Sequence, residues 1–324
     1  MNNIFEAIEE TKDFTPSDFA EAEKIYKQTI EQHQAAINQD IKGTLERIYK
    51  VTAVRQVKAE KDNQKKHDIR LSELIQLPLF PYPDTTRIIS NDMARSALFA
   101  AIQGGNRKQL KKEVLATIDG IEIIFTGEQL NQDDHDLLMQ LVHIAKNKPF
   151  GEKITVPANT ILSGLGLGKG GKDHEELKTK MERLLSPLIA LKNTRTKITY
   201  YGHIIDKAIQ DETKKHWVYN LNPDLRPLYD VTGFSLIEWQ QRKALKRKDL
   251  ARWLHSFYSS HAQPYHYSVK ELYRLSGSTA ELKSFRRSLK IALDLLINLG
   301  FFIVGYIVKD SDLVSIKRNV KIQK

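Results

Sequence analysis

The chain is 324 residues long, 41% hydrophobic and 28% charged, with a formal net charge of +10 and no cysteine. Such a length holds two ordinary domains or one large one, and the lack of cysteine excludes disulfides, thiolate metal sites and cysteine nucleophiles. The opening "MNNIFEAIEETKDF" turns acidic at once and no apolar run approaches membrane-spanning length, so the reading is a cytoplasmic protein with no membrane contact.

Residues 1–70 read as a helical, charged extension ending in a linker. Thr15 as N-cap, Pro16 and Asp18 make a helix start. Ile37, Ile41, Leu45 and Ile48 form a narrow helical seam, and "AEKDNQKKHD" is polar linker. Net charge runs from −6 over residues 1–40 to +5 over 41–70, an order that allows pairing within the segment, shielding of a DNA surface, or simply solvated helices. Residues 71–230 are expected to hold a linker and a first domain, and residues 231–324 a second. In the first, "SNDMARSALFAA" (Ser90–Ala101) precedes "VLATIDGIEIIF", a hairpin turning at Asp119–Gly120.

Two stretches of the chain resemble each other. "TVPANTILSG" (Thr155–Gly164) and "SVKELYRLSG" (Ser268–Gly277) align at an offset of 113, while "ELK" at Glu176 and at Glu281 aligns at 105, which implies eight extra residues, Leu165–Lys172, in the first copy. In the second copy Leu245, Leu250, Trp253, Leu254 and Phe257 recur at helical spacing. A short β-prone piece follows. Ser268 with Glu271 starts a second helix that Gly277 ends, and Ser278 with Glu281 starts a third. Leu282, Phe285, Leu289, Ala292 and Leu296 form the buried stripe of that third helix, and Gly300 stops it before two strands around a turn at Lys309–Asp312. Helix, strand, helix, turn, helix, hairpin is the order of a winged helix-turn-helix. The first copy repeats it, with a helix near Gln132–Lys146, a second ending at Gly164, a third from Asp173 to about Leu191, and two strands. The fold class expected is therefore α+β, with tandem winged helix-turn-helix domains behind a helical extension.

The eight extra residues also spell G-x-x-x-x-G-K (Gly166–Lys172) and G-x-G-x-x-G (Gly166–Gly171), fingerprints of nucleotide binding. A P-loop needs a preceding strand and a hydroxyl after its lysine. Here a helix precedes, and Asp173 stands in the hydroxyl's place and reads as a helix N-cap. The stretch is more simply an elongated turn from which Lys169 and Lys172 reach a phosphate.

Residues 231–324 carry a net charge of +10, which suits a polyanion such as DNA, RNA or anionic lipid, or merely solubilises a helical surface. Opposite the stripe of the third helix lie Lys283, Ser284, Arg287 and Lys290, with Arg286 at the edge and Thr279 at the exposed N-terminal turn. These side chains suit phosphates and guanine edges. The matching face of the first copy carries Glu175, Lys178, Thr179 and Glu182, so the second copy is expected to be the main reader and the first to make looser backbone or protein contacts. "QRKALKRKDLAR" adds Arg242, Lys243, Lys246, Arg247, Lys248 and Arg252, for phosphate positioning or as a solvated linker helix. Lys309, Lys317 and Arg318 are candidate wing contacts. Ten histidines show no zinc-ligand spacing, "DHEEL" at His174 lacks a second histidine, and no local Ser-His-Asp pattern appears. The chain is read as non-enzymatic, without cofactor or metal.

"NDMARSALF", "IIFTGEQL", "DDHDLLMQLVHIAK" and "FYSSHAQPYHYSVKELYRLSGS" resemble the TrfA family of plasmid replication initiator proteins, over about Gln76 to Arg318. That resemblance implies a protein that binds direct repeats (iterons) in double-stranded origin DNA, helps open adjacent AT-rich DNA, and recruits the host initiator DnaA and the replicative helicase. It also implies a monomer–dimer equilibrium with an active monomer, and copy-number control. "QLPLF" looks like the motif by which replication proteins dock on the bacterial sliding clamp, with Gln76 for polar contacts and Leu77, Leu79 and Phe80 around an apolar cleft. Pro78 keeps the peptide extended. The alternative for this stretch is a proline-rich linker packing on the protein itself. A winged-helix transcriptional repressor without a replication role is the alternative function.

Overall fold

The helix start read at Thr15 is present, with the partners reversed: Asp18 accepts the Thr15 N–H at 2.7 Å and hydroxyl at 2.6 Å at the head of α1 (Pro16–His33). A computed structural model describes residues 15–33, 53, 57–58, 60–61, 79, 81–118, 120–194, 198–229, 233–263, 265–309 and 311–319. The chain divides into two units, Met1–Glu73 and Leu74–Lys324. In the first, Ala22, Ala53 and Val57 are buried together and Lys61 pairs with Asp18. The seam from Ile37 to Ile48 lies outside the described residues.

The second unit mixes helices and strands and contains both copies, so the boundary expected at residue 230 falls inside it. Ahead of the first copy come β1 (Thr86–Ser90), α2 (Asn91–Ala94), β2 (Phe99–Ala100), β3 (Gln109–Leu115), β4 (Ile121–Glu128) and β5 (Leu130–Asn131). Asn131 caps α3 (Gln132–Ile144) through a reciprocal capping box with Asp134. Then follow β6 (Ile154–Pro157), α4 (Ala158–Gly164), α5 (Gly171–Leu185), β7 (Leu188–Asn193), β8 (Ile198–Gly202), β9 (Ile205–Asp211) and β10 (His216–Leu221). β11 (Phe234–Glu238) pairs antiparallel with β1 and leads into the second copy. There α6 (Trp239–Ala244), α7 (Asp249–Ser259), β12 (Tyr267–Ser268), α8 (Val269–Leu275), α9 (Leu282–Asn298), β13 (Phe302–Ile307) and β14 (Leu313–Arg318) complete the chain. The two copies share a sheet order: the short strand sits beside the last strand, as β6-β10-β9 and β12-β14-β13.

Four details differ from the sequence reading. The expected first helix of the second copy is two helices, because the chain breaks between α6 and α7 and Arg247 adopts φ +64°. In the first copy the third helix ends at Leu185, since Pro187 offers no N–H to extend the ladder. Leu188–Asn193 is instead a strand against β4, with Ile189 and Leu191 buried and Leu188 exposed. The connections before α5 and α9 are each six residues, 165–170 and 276–281, so the Gly-rich stretch is no insertion and its last residues belong to α5. Capping differs too: Asp173 accepts the Gly170 N–H at 3.1 Å from inside α5, and Glu281, not Ser278, bounds α9 without a side-chain cap.

The "SNDMARSALFAA" block joins the copies. Trp253 Nε1 donates to the Ser96 carbonyl at 3.2 Å, Arg95 Nε to Ser260 Oγ at 3.0 Å, and Ala101 N–H to the Ser276 carbonyl at 2.7 Å. Gly277, at φ +61°, lies so close that a Cβ there would stand 3.0 and 3.1 Å from the Ala100 and Ala97 methyls. Both conformation and space require glycine.

Beside this block the acidic start of α3 gathers four arginines. Asp134, fully buried, faces Arg107 at 3.2 Å and Arg183 at 3.0 Å. Asp136 meets Arg242 at 2.6 Å and Arg252 at 2.9 Å; Asp133 meets Arg252 at 2.6 Å, and Asp249 also pairs with it. Arg242 is wholly buried and Arg252 is 2% exposed, so neither is available to phosphate, which corrects the sequence reading of both. Burial opposes the Arg252 charge, but Asp136, Asp133 and Asp249 hold it protonated. Removing one partner leaves a buried charge uncompensated, so Asp136→Ala should cost about 3–5 kcal/mol in urea unfolding. A loss below about 1 kcal/mol would mean the cluster holds nothing.

Burial, helped by Arg242, keeps His135 and His255 neutral well below the ordinary range, and burial pushes His143 and His261 down to about 4. Below about pH 6.5 the unfolded chain takes up protons at these positions that the folded chain refuses. Stability is therefore complete above pH 7 and should fall as pH drops from 7 to 5, by at most about 1.4 kcal/mol per pH unit for each histidine. Urea midpoints across that range check it; a flat profile would contradict the burial.

Candidate nucleic-acid interface

α9 buries Phe285, Leu289, Ala292, Leu293 and Leu296 against the core of the second copy. Leu282, in its first turn, is 42% exposed rather than at the centre of the stripe. Lys283, Ser284, Arg287 and Lys290 are all exposed, and Lys283, Arg287 and Lys290 recur at i, i+4 and i+7, which sets three cations on one face. None of the three has a carboxylate partner among the described residues. Thr279 is exposed in the turn ahead of the helix.

Arg286 is different. Its Nη1 lies 2.5 Å from Asp312 Oδ1, which ties α9 to the β13–β14 turn. Lys309 is exposed on that turn, whereas Lys317 pairs in register with Val304 at the far end of the hairpin, so the structure does not bring the two wing candidates together. Arg318 donates to the carbonyls of Tyr258 at 3.0 Å and His261 at 2.9 Å and lies over the Phe301 ring, a packing role.

A groove of about 530 Å³ runs beside the exposed face, lined among others by Arg247, Lys248, Thr279, Ser288 and Ile291. It makes α9 and the turn between α6 and α7 one continuous surface. Ile291 is 60% exposed, a side chain absent from the sequence-derived site. Its signal was an apolar residue out of phase with the stripe, and such a group suits a thymine methyl.

The corresponding face of α5 is acidic. Glu175 and Glu182 are exposed with Thr179, whose hydroxyl donates to the Glu175 carbonyl at 3.0 Å, and Glu176 pairs with the buried Lys180 at 2.6 Å. Lys169 and Lys172 are exposed at the Gly-rich turn, as are Lys246, Arg247 and Lys248 at the turn of the second copy. Leu79 is 4% exposed in the main core, while Gln76, Leu77 and Phe80 lie outside the described residues. Among the described residues no group of three or more His, Asp or Glu side chains is placed to hold a metal ion, and no helix is long and apolar enough to cross a membrane.

The family model described as TrfA protein matches residues 42–318. The chain belongs to the TrfA family. The plasmid replication initiator protein TrfA of Escherichia coli is 26% identical over 266 residues, covering 78% of this chain and 68% of that protein. RepFIB replication protein A of Escherichia coli is 24% identical over 161 residues, 47% of this chain and 50% of that protein. Among solved structures, domains 2 and 3 of RctB align with a TM-score of 0.49 at 15% identity, over 71% of this chain and 99% of that one. Within this TrfA-family chain, all the second-copy candidates from Lys246 to Lys317 lie inside the matched span.

Proposed function

We propose that this TrfA-family chain is a plasmid replication initiator. It binds direct repeats in origin DNA through two winged helix-turn-helix modules, promotes opening of the origin, and recruits host DnaA, the replicative helicase and the sliding clamp. The observation that carries the reading is the exposed, unpaired row Lys283, Arg287 and Lys290 on a helix whose other face is core. Its dimensions and chemistry suit a major groove: a helix fits there, and arginine and lysine match guanine O6 and N7. The shared order of helix, strand, helix, helix and hairpin supports the winged-helix reading of both copies. The second copy is the main reader, because the carboxylates on α5 repel a duplex. Lys309 is its wing contact, and a monomer–dimer equilibrium sets the amount of active monomer.

Fluorescence anisotropy on the repeats nearest the gene, against a shuffled duplex, tests this. The wild type should prefer the repeats by at least about a thousandfold, and Arg287→Ala should lose about 1–3 kcal/mol on the repeats with little change on the shuffled duplex. Equal weakening on both would make Arg287 a phosphate contact, and no preference by the wild type would remove the initiator reading.

The clamp contact belongs to the same proposal. Since Leu79 lies in the core, docking through "QLPLF" requires that side chain to leave its place, which makes clamp binding costlier than for a free peptide. Pulldown on the sliding clamp should capture the wild type and lose Phe80→Ala. Absence of capture by the wild type would strike the clamp from the list of partners.

A further inference from the structure

The basic run from Arg242 to Arg252 divides by partner. Arg242 and Arg252 are committed to aspartates, while Lys243, Lys246, Arg247 and Lys248 have no carboxylate partner among the described residues. Across from them stands the Gly-rich turn of the other copy. Lys246 Nζ donates to the Gly166 carbonyl at 3.4 Å, and a Cβ on Gly166, at φ +66°, would stand 3.3 Å from Lys243 Cδ. The docking is fixed beneath: Trp239 Nε1 donates to the Gly164 carbonyl at 2.7 Å, and Leu165 packs on the cluster of Ile89, Met139, Ile237 and Trp239. Lys169 on the same turn and Lys172 at the start of α5 also have no carboxylate partner among the described residues. Six cations from two separate parts of the sequence thus border one seam.

The ligand class follows from the carboxylate that meets the turn's amides. Asp173 accepts the Gly170 N–H from the first turn of α5, and its carboxylate stands 2.6 Å from where a Cβ on Gly168 would lie. It already accepts one of the amides that a P-loop would offer to a nucleotide phosphate, and its charge repels an anion beside them. What remains accessible is the ring of lysine and arginine side chains outside. Such a ring fits an extended polyanion whose phosphates pass over it, and the groove lined by Arg247, Lys248 and Thr279 continues it to the exposed face of α9.

We propose that the Gly-rich turn and the Lys246–Lys248 turn form one composite site for phosphodiester backbone, gripping a single stretch of duplex across the seam between the two copies. The proposal rests on the DNA-binding reading above and adds where the backbone runs. The site carries no sequence information. It supplies affinity common to all duplexes and positions the reading helix over its bases.

Two charge-neutralised proteins test it, Lys169→Gln with Lys172→Gln, and Lys246→Gln with Lys248→Gln; all four side chains are exposed, and thermal melting verifies that both variants fold. Each pair should lower the slope of log affinity against log salt by about two, weaken repeat and shuffled duplexes by the same factor, and erase hydroxyl-radical protection from the same stretch of backbone. Unchanged slopes, or lost protection at two separate places, would overturn the composite site while leaving repeat binding by the wild type intact. A wild type that binds no duplex would defeat the DNA reading, and the site with it. Saturable ATP binding lost on Lys172→Gln would overturn the proposal in another way, by making the turn a nucleotide site.

Discussion

Four arginines converge on Asp133, Asp134 and Asp136 at the head of α3, and the arrangement of both copies depends on that convergence. Asp134 holds Arg107 and Arg183 from the first copy and its preceding hairpin; Asp133 and Asp136 hold Arg242 and Arg252 from the second. Arg242, Arg252 and Asp134 are deeply buried, and charges so placed are costly to desolvate and are tolerated only with partners in place. A shift of either copy by a few ångströms would separate them. The cluster therefore selects one relative placement of the two copies, and the contacts at Gly277 and Trp239 follow from that placement.

The same sequence shows why part of this was readable and part was not. The stripe Phe285, Leu289, Ala292 and Leu296 has helical period and no competing pattern, so α9 and its polar face could be read directly. Ser268 is equally local: its hydroxyl accepts the Glu271 N–H at 3.1 Å, as the capping spacing requires. Arg242 and Arg252 could not be sorted from their neighbours, because a dense basic run looks like surface wherever its partners lie more than a hundred residues away. Leu188–Leu191 reads as more helix by apolar spacing, and only pairing with β4 makes it a strand. The shared Leu-Ser-Gly drew the two copies into a register two residues from that of their helices, and so created an insertion the backbone does not contain.

The copies have also diverged in what they show to solvent. α5 and α9 hold equivalent places, yet one presents Glu175 and Glu182 and the other Lys283, Arg287 and Lys290. Arg286 differs from its neighbours, since its pairing with Asp312 links the hairpin turn to α9 and gives one cation of that helix a carboxylate partner. Charge is thus distributed unevenly, with Arg242 and Arg252 paired inside and Lys283, Arg287 and Lys290 exposed without carboxylate partners among the described residues.

The buried cluster carries a consequence for how such a protein can change over time. Duplicated modules usually owe their value to independence, each free to be exchanged or discarded. Here excision of either copy would leave aspartates or arginines of the cluster without their partners and uncover the apolar side chains packed beside them, so neither copy is set up to stand alone. Change is therefore easier by substitution on exposed faces, such as those of α5 and α9, than by exchange of the halves.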